Sequence, residues 1–277
     1  MEIKNDDNFC TSNQIHLSVK NNKLILSTCC GTFFLDKVDA KDFLNCDDVI
    51  NFLKSKIENL YIRNKKTNEF GYCELKKEYC CFVGKKTKIK NLYISISQSC
   101  NLNCSFCFMG NQHTNEYDDL YFKVLNKLIE KEYNFNFILL TNYGEPFFNY
   151  NKTIDFLKKV KKENLKGVYF ITNGTLLNKE RIDELYNISK ETGVKIEIQV
   201  SLNAFNKDTY KNLMGQDYFD KVIENILYLK EKNLLMLVSY VIVKENEKEV
   251  EEFKNFFKER NIITTTNIAS LPESYYT

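Results

Sequence analysis

From residue 92 to residue 268, short β-rich apolar runs alternate with longer stretches whose apolar positions recur at helical spacing. A strand alternates its faces every second residue and a helix every 3.6 or so, about one turn. Residues 92–97, 135–140, 167–171, 195–202, 234–243 and 262–268 read as strands. Residues 117–132 carry Leu120, Val124, Leu125, Leu128 and Ile129 on one helical face. Residues 153–160, 179–191, 218–232 and 248–259 follow the same period, with Asn173-Gly174 as a turn and Gly193 as a helix stop. Strands separated by helices predict consecutive parallel βα units, and six of them suit an α/β fold closed into an open or partial barrel. In barrels of this kind the chemistry gathers at the carboxyl ends of the strands. The residues after Ser97, residues 143–146, Asn173-Gly174 and the residues after Ser201 each follow a strand, so they are expected to meet at one mouth.

The first ninety residues read differently. Residues 15–19 and 24–27 alternate on either side of Asn21-Asn22, a hairpin signal. Residues 47–60 form an amphipathic pattern through Val49, Ile50, Phe52, Leu53 and Ile57. These patterns predict a small α+β domain over residues 1–90, rich in cysteine, followed by the barrel domain over residues 91–277.

Charge changes little in this picture. The 277 residues carry 39 basic and 37 acidic side chains, a net charge of +2. Interleaved charges of both signs read as a solvated surface and give no reason to expect nucleic acid as a partner. No apolar run reaches membrane-spanning length, and the polar, acidic start does not resemble a secretory signal. A cytoplasmic location is expected. Ten cysteines in that setting point to metal or redox use in preference to disulfides.

Three of the ten stand in one short loop, Cys100, Cys104 and Cys107, spaced Cys-x3-Cys-x2-Cys. Chance would place that spacing about 0.01 times in a chain of this composition. Thiolates are the natural ligands of iron–sulfur clusters, and a four-iron cubane usually takes four. A loop that offers three leaves one iron open, and an open metal position marks a site that binds and transforms something. The alternative is a zinc site or buried thiols, with His113 as a possible fourth ligand just downstream.

With these motifs in place, residues 92–268 resemble the radical S-adenosylmethionine (radical SAM) superfamily. The resemblance implies that Cys100, Cys104 and Cys107 bind a [4Fe–4S] cluster and that Phe106, before the last cysteine, lies beside the adenine of S-adenosylmethionine. Gly144-Glu145-Pro146 resembles the family's Gly-Gly-Glu-Pro motif, which holds the methionyl ammonium; Tyr143 replaces the usual first glycine. Thr172-Asn173-Gly174 matches the third-strand Thr-Asn-Gly, and Ser201 with Asn203 resembles the fourth-strand Ser-x-Asp that binds ribose or carboxylate. Asn203 departs from the commoner aspartate, and the fifth strand lacks the family's glycine.

The remaining cysteines lie in the first ninety residues. A hairpin ending in cysteine, a helix and then closely spaced cysteines resemble the SPASM or twitch auxiliary-cluster domains, which usually follow the core. That likeness implies a second [4Fe–4S] cluster on Cys10, Cys29 or Cys30, Cys73, and Cys80 or Cys81, with Cys30 and Cys80 as the preferred members. A four-thiolate zinc site would use the same ligands. Cys46 reads as a buried small hydrophobe. No cysteine follows Cys107, so no auxiliary domain is expected after the core and the mouth is expected to be open.

The resemblance implies an iron–sulfur oxidoreductase. One electron from ferredoxin or flavodoxin cleaves S-adenosylmethionine to a 5′-deoxyadenosyl radical, which abstracts hydrogen from a peptide or small-molecule substrate. Oxidation or cross-linking of a peptide or small metabolite is the expected reaction. The alternatives are a radical epimerase, a sugar-modifying enzyme or a non-catalytic iron–sulfur sensor. The sequence singles out no catalytic hydrogen donor.

Overall fold

The computed structural model describes residues 14–20, 23–28, 38–47, 51–52, 91–107, 109–110, 113–130, 135–140 and 144–269. Strands β1 (Gln14–Lys20) and β2 (Lys23–Thr28) form an antiparallel hairpin in which Lys20 faces Lys23, as the alternation around Asn21-Asn22 predicts. The two-residue strand β3 (Val38–Asp39) pairs antiparallel with β2 and leads into α1 (Ala40–Asn45), whose first turn is capped by the Asp39 carboxylate accepting from the Lys41 N–H. The helix expected over residues 47–60 and the cysteines at 10, 29, 30, 73, 80 and 81 fall wholly or mostly outside the described residues.

The βα units follow. They are β4 (Asn91–Ile94), α2 (Asp118–Glu130), β5 (Phe135–Leu140), α3 (Tyr150–Lys159), β6 (Leu165–Thr172), α4 (Lys179–Thr192) and β7 (Lys195–Ser201). After β7 come two helices, α5 (Lys207–Met214) and α6 (Phe219–Glu231), then β8 (Leu235–Ile242), α7 (Val250–Lys258) and β9 (Thr264–Ile268). Strands β4 to β9 lie side by side in chain order and all parallel, the partial (β/α)6 barrel expected from the sequence. The hairpin does not stand apart: β1 pairs parallel with β4, Ile15 beside Leu92, so one nine-stranded sheet runs through both regions.

Alternation along the strands decides what each face does. Leu92, Ile94, Ile138, Leu140, Val168, Phe170, Ile196 and Ile198 are buried beneath the helices. Each such side chain contributes about 1.5–3 kcal/mol by leaving water. Their neighbours Tyr93, Leu139, Tyr169 and Glu197 share one row across four strands and are only half-buried, so the other face stays open. Helix α4 ends as expected at Gly193, which takes the left-handed conformation (φ 68°) that spares a Cβ.

Helix α5 escaped the periodicity reading because it is short and follows a polar stretch. Its signals are present in retrospect. The Asn206 side chain accepts from the Asp208 and Thr209 N–H groups, Tyr210, Leu213 and Met214 are buried on one face, and Gly215 closes the helix at φ 76°.

Candidate active site

Strand β4 ends at Ile94, earlier than its apolar pattern suggests, and by Ser97 and Gln98 the chain is bonded to α2. Asp118, buried at the start of that helix, accepts from the Gln98 N–H at 3.2 Å and the Ser97 hydroxyl at 3.1 Å. The Asn149 amide donates to the same carboxylate. Asp118 thus ties the approach to the cysteine loop to the turn before α3. Burial pushes its carboxyl above the usual carboxylate range, against the lowering effect of those donors.

The turn at 144–146 is fixed to the same backbone. The Glu145 N–H donates to the Ser99 carbonyl at 2.8 Å. Gly144 presses so closely that a Cβ there would stand 2.4 Å from the Ser99 oxygen and 2.8 Å from the Gln98 carbonyl carbon. Those are backbone atoms and cannot swing aside. Gly144→Ala is therefore expected to cost about 1–3 kcal/mol, as overpacking does, and to displace Glu145. Urea unfolding of the variant checks the first part, and cofactor affinity the second.

Glu145 is fully buried at the junction of β5 and β6. Its carboxylate accepts from the Thr172 hydroxyl at 2.6 Å, the Asn173 N–H at 2.8 Å and the Phe147 N–H at 3.1 Å. Desolvation nevertheless pushes its pKa up to about 7, because these hydrogen bonds only partly offset the loss of water. A dry carboxylate near the strand ends is a site that gains by meeting a cation.

The cysteine loop meets this group through Asn173. The Asn173 Nδ2 lies 3.7 Å from the Cys100 sulfur and donates to Asn101 Oδ1 at 3.2 Å, while its own oxygen accepts from the Thr175 N–H and hydroxyl. The Leu102 N–H also points at the Cys100 sulfur, at 3.5 Å. Within the loop, the Cys107 N–H donates to the Cys104 carbonyl. Burial pushes the Cys104 thiol up to about 12, and the neighbouring Cys100 and Cys107 push it the same way. Burial also raises Cys100, with Glu145 and Cys107 adding to the effect.

Three thiols gathered beside a carboxylate, with N–H groups directed at one sulfur, form a donor set suited to a positive centre. Bound iron reverses the electrostatics, since a metal ion stabilises the thiolates that burial disfavours. Among the described residues no three His, Cys, Asp or Glu side chains converge as ligands of a single ion. Each thiolate of a cubane holds a different iron and needs no such convergence. His113, the fourth ligand of the zinc alternative, keeps one ring nitrogen toward the cysteine loop. Its Nδ1 lies 2.9 Å from the Gln98 carbonyl oxygen, and its Nε2 faces the Cys107 sulfur at 4.0 Å.

Of the residues read from the sequence, Cys100, Glu145, Thr172 and Asn173 are thus joined in one hydrogen-bonded group. Pro146 is buried behind it and accepts from the Thr153 hydroxyl through its carbonyl. Phe106 is half-buried against the core. Ser201 shares a contact with Ser239 of the next strand, their hydroxyl oxygens 3.1 Å apart. Asn203, in the left-handed region at φ 56°, turns its Oδ1 toward the Val241 N–H, so its oxygen serves the join between β7 and β8. Tyr143 lies outside the described residues. Sequence reasoning missed Asp118 at the start of α2 and Asn149 in the turn before α3, which support the loop from a distance in the chain. It also missed α5, whose last carbonyls accept from the Ser105 and Asn103 N–H groups.

Comparison with known proteins bears on this geometry. Residues 94–257, more than half of the chain, match the model of the radical SAM superfamily. The chain is 35% identical over 136 residues to an uncharacterized protein of Methanocaldococcus jannaschii, covering 48% of this chain and 41% of that one. It is 29% identical over 170 residues to a Probable GTP 3′,8-cyclase of Saccharolobus islandicus, covering 60% of this chain and 52% of that one. The chain spans about half the length of the curated relatives it matches. Among solved structures, native anSMEcpe with bound AdoMet shares the fold at a TM-score of 0.52 and 20% identity, over 66% of this chain and 52% of that one. The three-cysteine loop after β4, the parallel half-barrel and the family match lead to one conclusion: this chain belongs to the radical SAM superfamily, a family that implies a [4Fe–4S] cluster and S-adenosylmethionine.

Proposed function

We propose that this enzyme cleaves S-adenosylmethionine reductively and uses the radical so formed to take hydrogen from a peptide or small metabolite, which it oxidises or cross-links. One juxtaposition supports the reading: Asn173 links the buried Glu145 carboxylate and the Cys100 sulfur at the ends of adjacent strands. Cys100, Cys104 and Cys107 would hold a [4Fe–4S] cluster, which when bound supplies the electron for carbon–sulfur cleavage and an open iron for the cofactor's amino and carboxylate groups. Glu145 accepts the methionyl ammonium, and Thr172 with the Asn173 N–H keeps its carboxylate in place. Phe106 borders the adenine. The neutral hydroxyls of Ser201 and Ser239 suit the ribose, and Asn203 is left with its amide nitrogen for a ligand.

The half-buried row from Tyr93 to Glu197 lines the open face, where a substrate's carbon–hydrogen bond can be positioned while water is kept out. Flavodoxin or ferredoxin is the proposed electron donor. A second cluster on Cys10, Cys30, Cys73 and Cys80 belongs to the proposal as a route for an electron leaving the substrate.

The test is formation of 5′-deoxyadenosine by anaerobically reconstituted, reduced protein, followed by deuterium transfer into it from labelled candidates. GTP belongs among them, because relatives bear the name GTP 3′,8-cyclase. Product at the level of a protein-free control would overturn the reading. Solvent deuterium in the product without net oxidation would replace oxidation by epimerisation. Iron analysis should give about eight irons per chain if both clusters form. About four irons with zinc would leave the core cluster alone.

A further inference from the structure

Tyr210 is fully buried on α5, yet its hydroxyl oxygen has no hydrogen-bond partner. Nearly all buried hydroxyls find one, so an orphan of this kind calls for a physical account. Leaving it unpaired costs stability, and a phenylalanine would fill the same space without the loss.

Its position suggests what the hydroxyl is for. Helix α5 is docked end-on against the cysteine loop. Its Leu213 carbonyl accepts from the Ser105 N–H at 2.9 Å, and its Met214 carbonyl from the Asn103 N–H at 3.4 Å. These are the two residues flanking Cys104. A Cβ on Gly215 would meet the Asn103 oxygen at 3.4 Å, in ordinary contact, so the end of the helix lies against the loop. Tyr210 stands one turn before Leu213 on the same buried face of this helix, and a thiolate at Cys104 would hold its phenol in the protonated, donating form. The ring itself is held edge-on by Phe219.

We infer that Tyr210 is a positioning residue for the iron–sulfur centre, its hydroxyl kept dry and unpaired so that it can donate toward the sulfur of Cys104 once that sulfur is a metal-bound thiolate. The inference rests on Cys104 being a cluster ligand. A donor beside a ligand sulfur stabilises the more negative, reduced form of the centre. Tyr210 therefore eases reduction, the step on which cofactor cleavage depends.

Two measurements test this on the full chain. In cluster-free protein, Tyr210→Phe should raise the melting temperature, because it removes an unpaired buried hydroxyl. A lowered melting temperature would mean that the hydroxyl already has a structural partner, and would overturn the inference. In the reconstituted protein, a redox titration followed by electron paramagnetic resonance should show the reduced-to-oxidised ratio at fixed potential falling about tenfold in Tyr210→Phe, or 59 mV for a one-electron couple. A full cluster with an unchanged midpoint would overturn it. If the variant does not load its cluster, 3,5-difluorotyrosine at position 210 decides. A stronger donor of nearly the same shape should move the midpoint upward, and an unmoved midpoint refutes the role. Failure of the underlying ligand assignment looks different: the unaltered protein itself would give no cluster signal to titrate.

Discussion

Cys104→Ala is expected to reduce 5′-deoxyadenosine formation to background while leaving the fold intact. A cubane held by two protein sulfurs loses both a ligand and the geometry that leaves one iron open. The cluster-free protein has little to lose by the change. Its Cys104 thiol is pushed up to about 12, so it is protonated and uncharged near neutral pH. Alanine removes one buried sulfur and costs on the order of 1 kcal/mol. Circular dichroism should therefore show an unchanged spectrum and a small shift in unfolding midpoint, while iron content and cofactor cleavage collapse together. Cys46→Ala is the control. That thiol donates to the Phe43 carbonyl, is packed against the core, and should leave cleavage unaffected. Undiminished cleavage by Cys104→Ala would remove Cys104 from the ligand set.

Glu145→Gln is expected to weaken S-adenosylmethionine binding about 30- to 5000-fold, the range of about 2–5 kcal/mol found when one partner of a buried charge pair is truncated. The substitution changes more than charge. One carboxylate oxygen accepts from Thr172 and Phe147, and the other from the Asn173 N–H. Glutamine must turn an NH2 group toward one of these donors.

The same residue sets a pH dependence with opposite signs in the empty and liganded protein. Its pKa rises from 4.5 to about 7 in the folded, empty protein. A group raised in this way contributes stability that is fully present below about 4.5 and is lost as pH rises through about 7. The loss is on the order of 3 kcal/mol. Binding of a cation needs the ionised form, so affinity should climb about tenfold per pH unit below 7 or so and level off above it. Melts of the empty protein and binding isotherms across pH 5–9 or thereabouts check both signs. In Glu145→Gln this group's part of both slopes should vanish.

How much of this was legible in the chain follows from what sequence encodes locally. Strands β4 to β7 and the long helices were visible because their apolar periods are strong and each turns one face to one core; β8 was visible as an apolar run, and β9 buries no residue and follows from its place after α7. The hairpin β1–β2 was visible from the alternation on either side of Asn21-Asn22. Its parallel seat beside β4 was not, since alternation fixes a face and says nothing of a partner some seventy residues away. The site divides the same way. Cys100, Glu145, Thr172 and Asn173 are legible because short motifs at successive strand ends must converge in a parallel barrel. Asp118 and Tyr210 are ordinary residues in helices and Asn149 stands in the turn before α3, and only their long-range contacts give them meaning. Asn203 matched a motif by position, yet its oxygen is taken by the Val241 N–H, a contact that depends on its left-handed backbone.

The most direct measurement is the paramagnetic spectrum of anaerobically reconstituted, dithionite-reduced protein, recorded before and after addition of S-adenosylmethionine. A centre held by Cys100, Cys104 and Cys107 with one iron free should give a reduced cubane signal that shifts when the ligand occupies that iron, and Cys104→Ala should abolish it. A sample that takes up iron yet gives no such signal, or a signal indifferent to the ligand, would contradict the account.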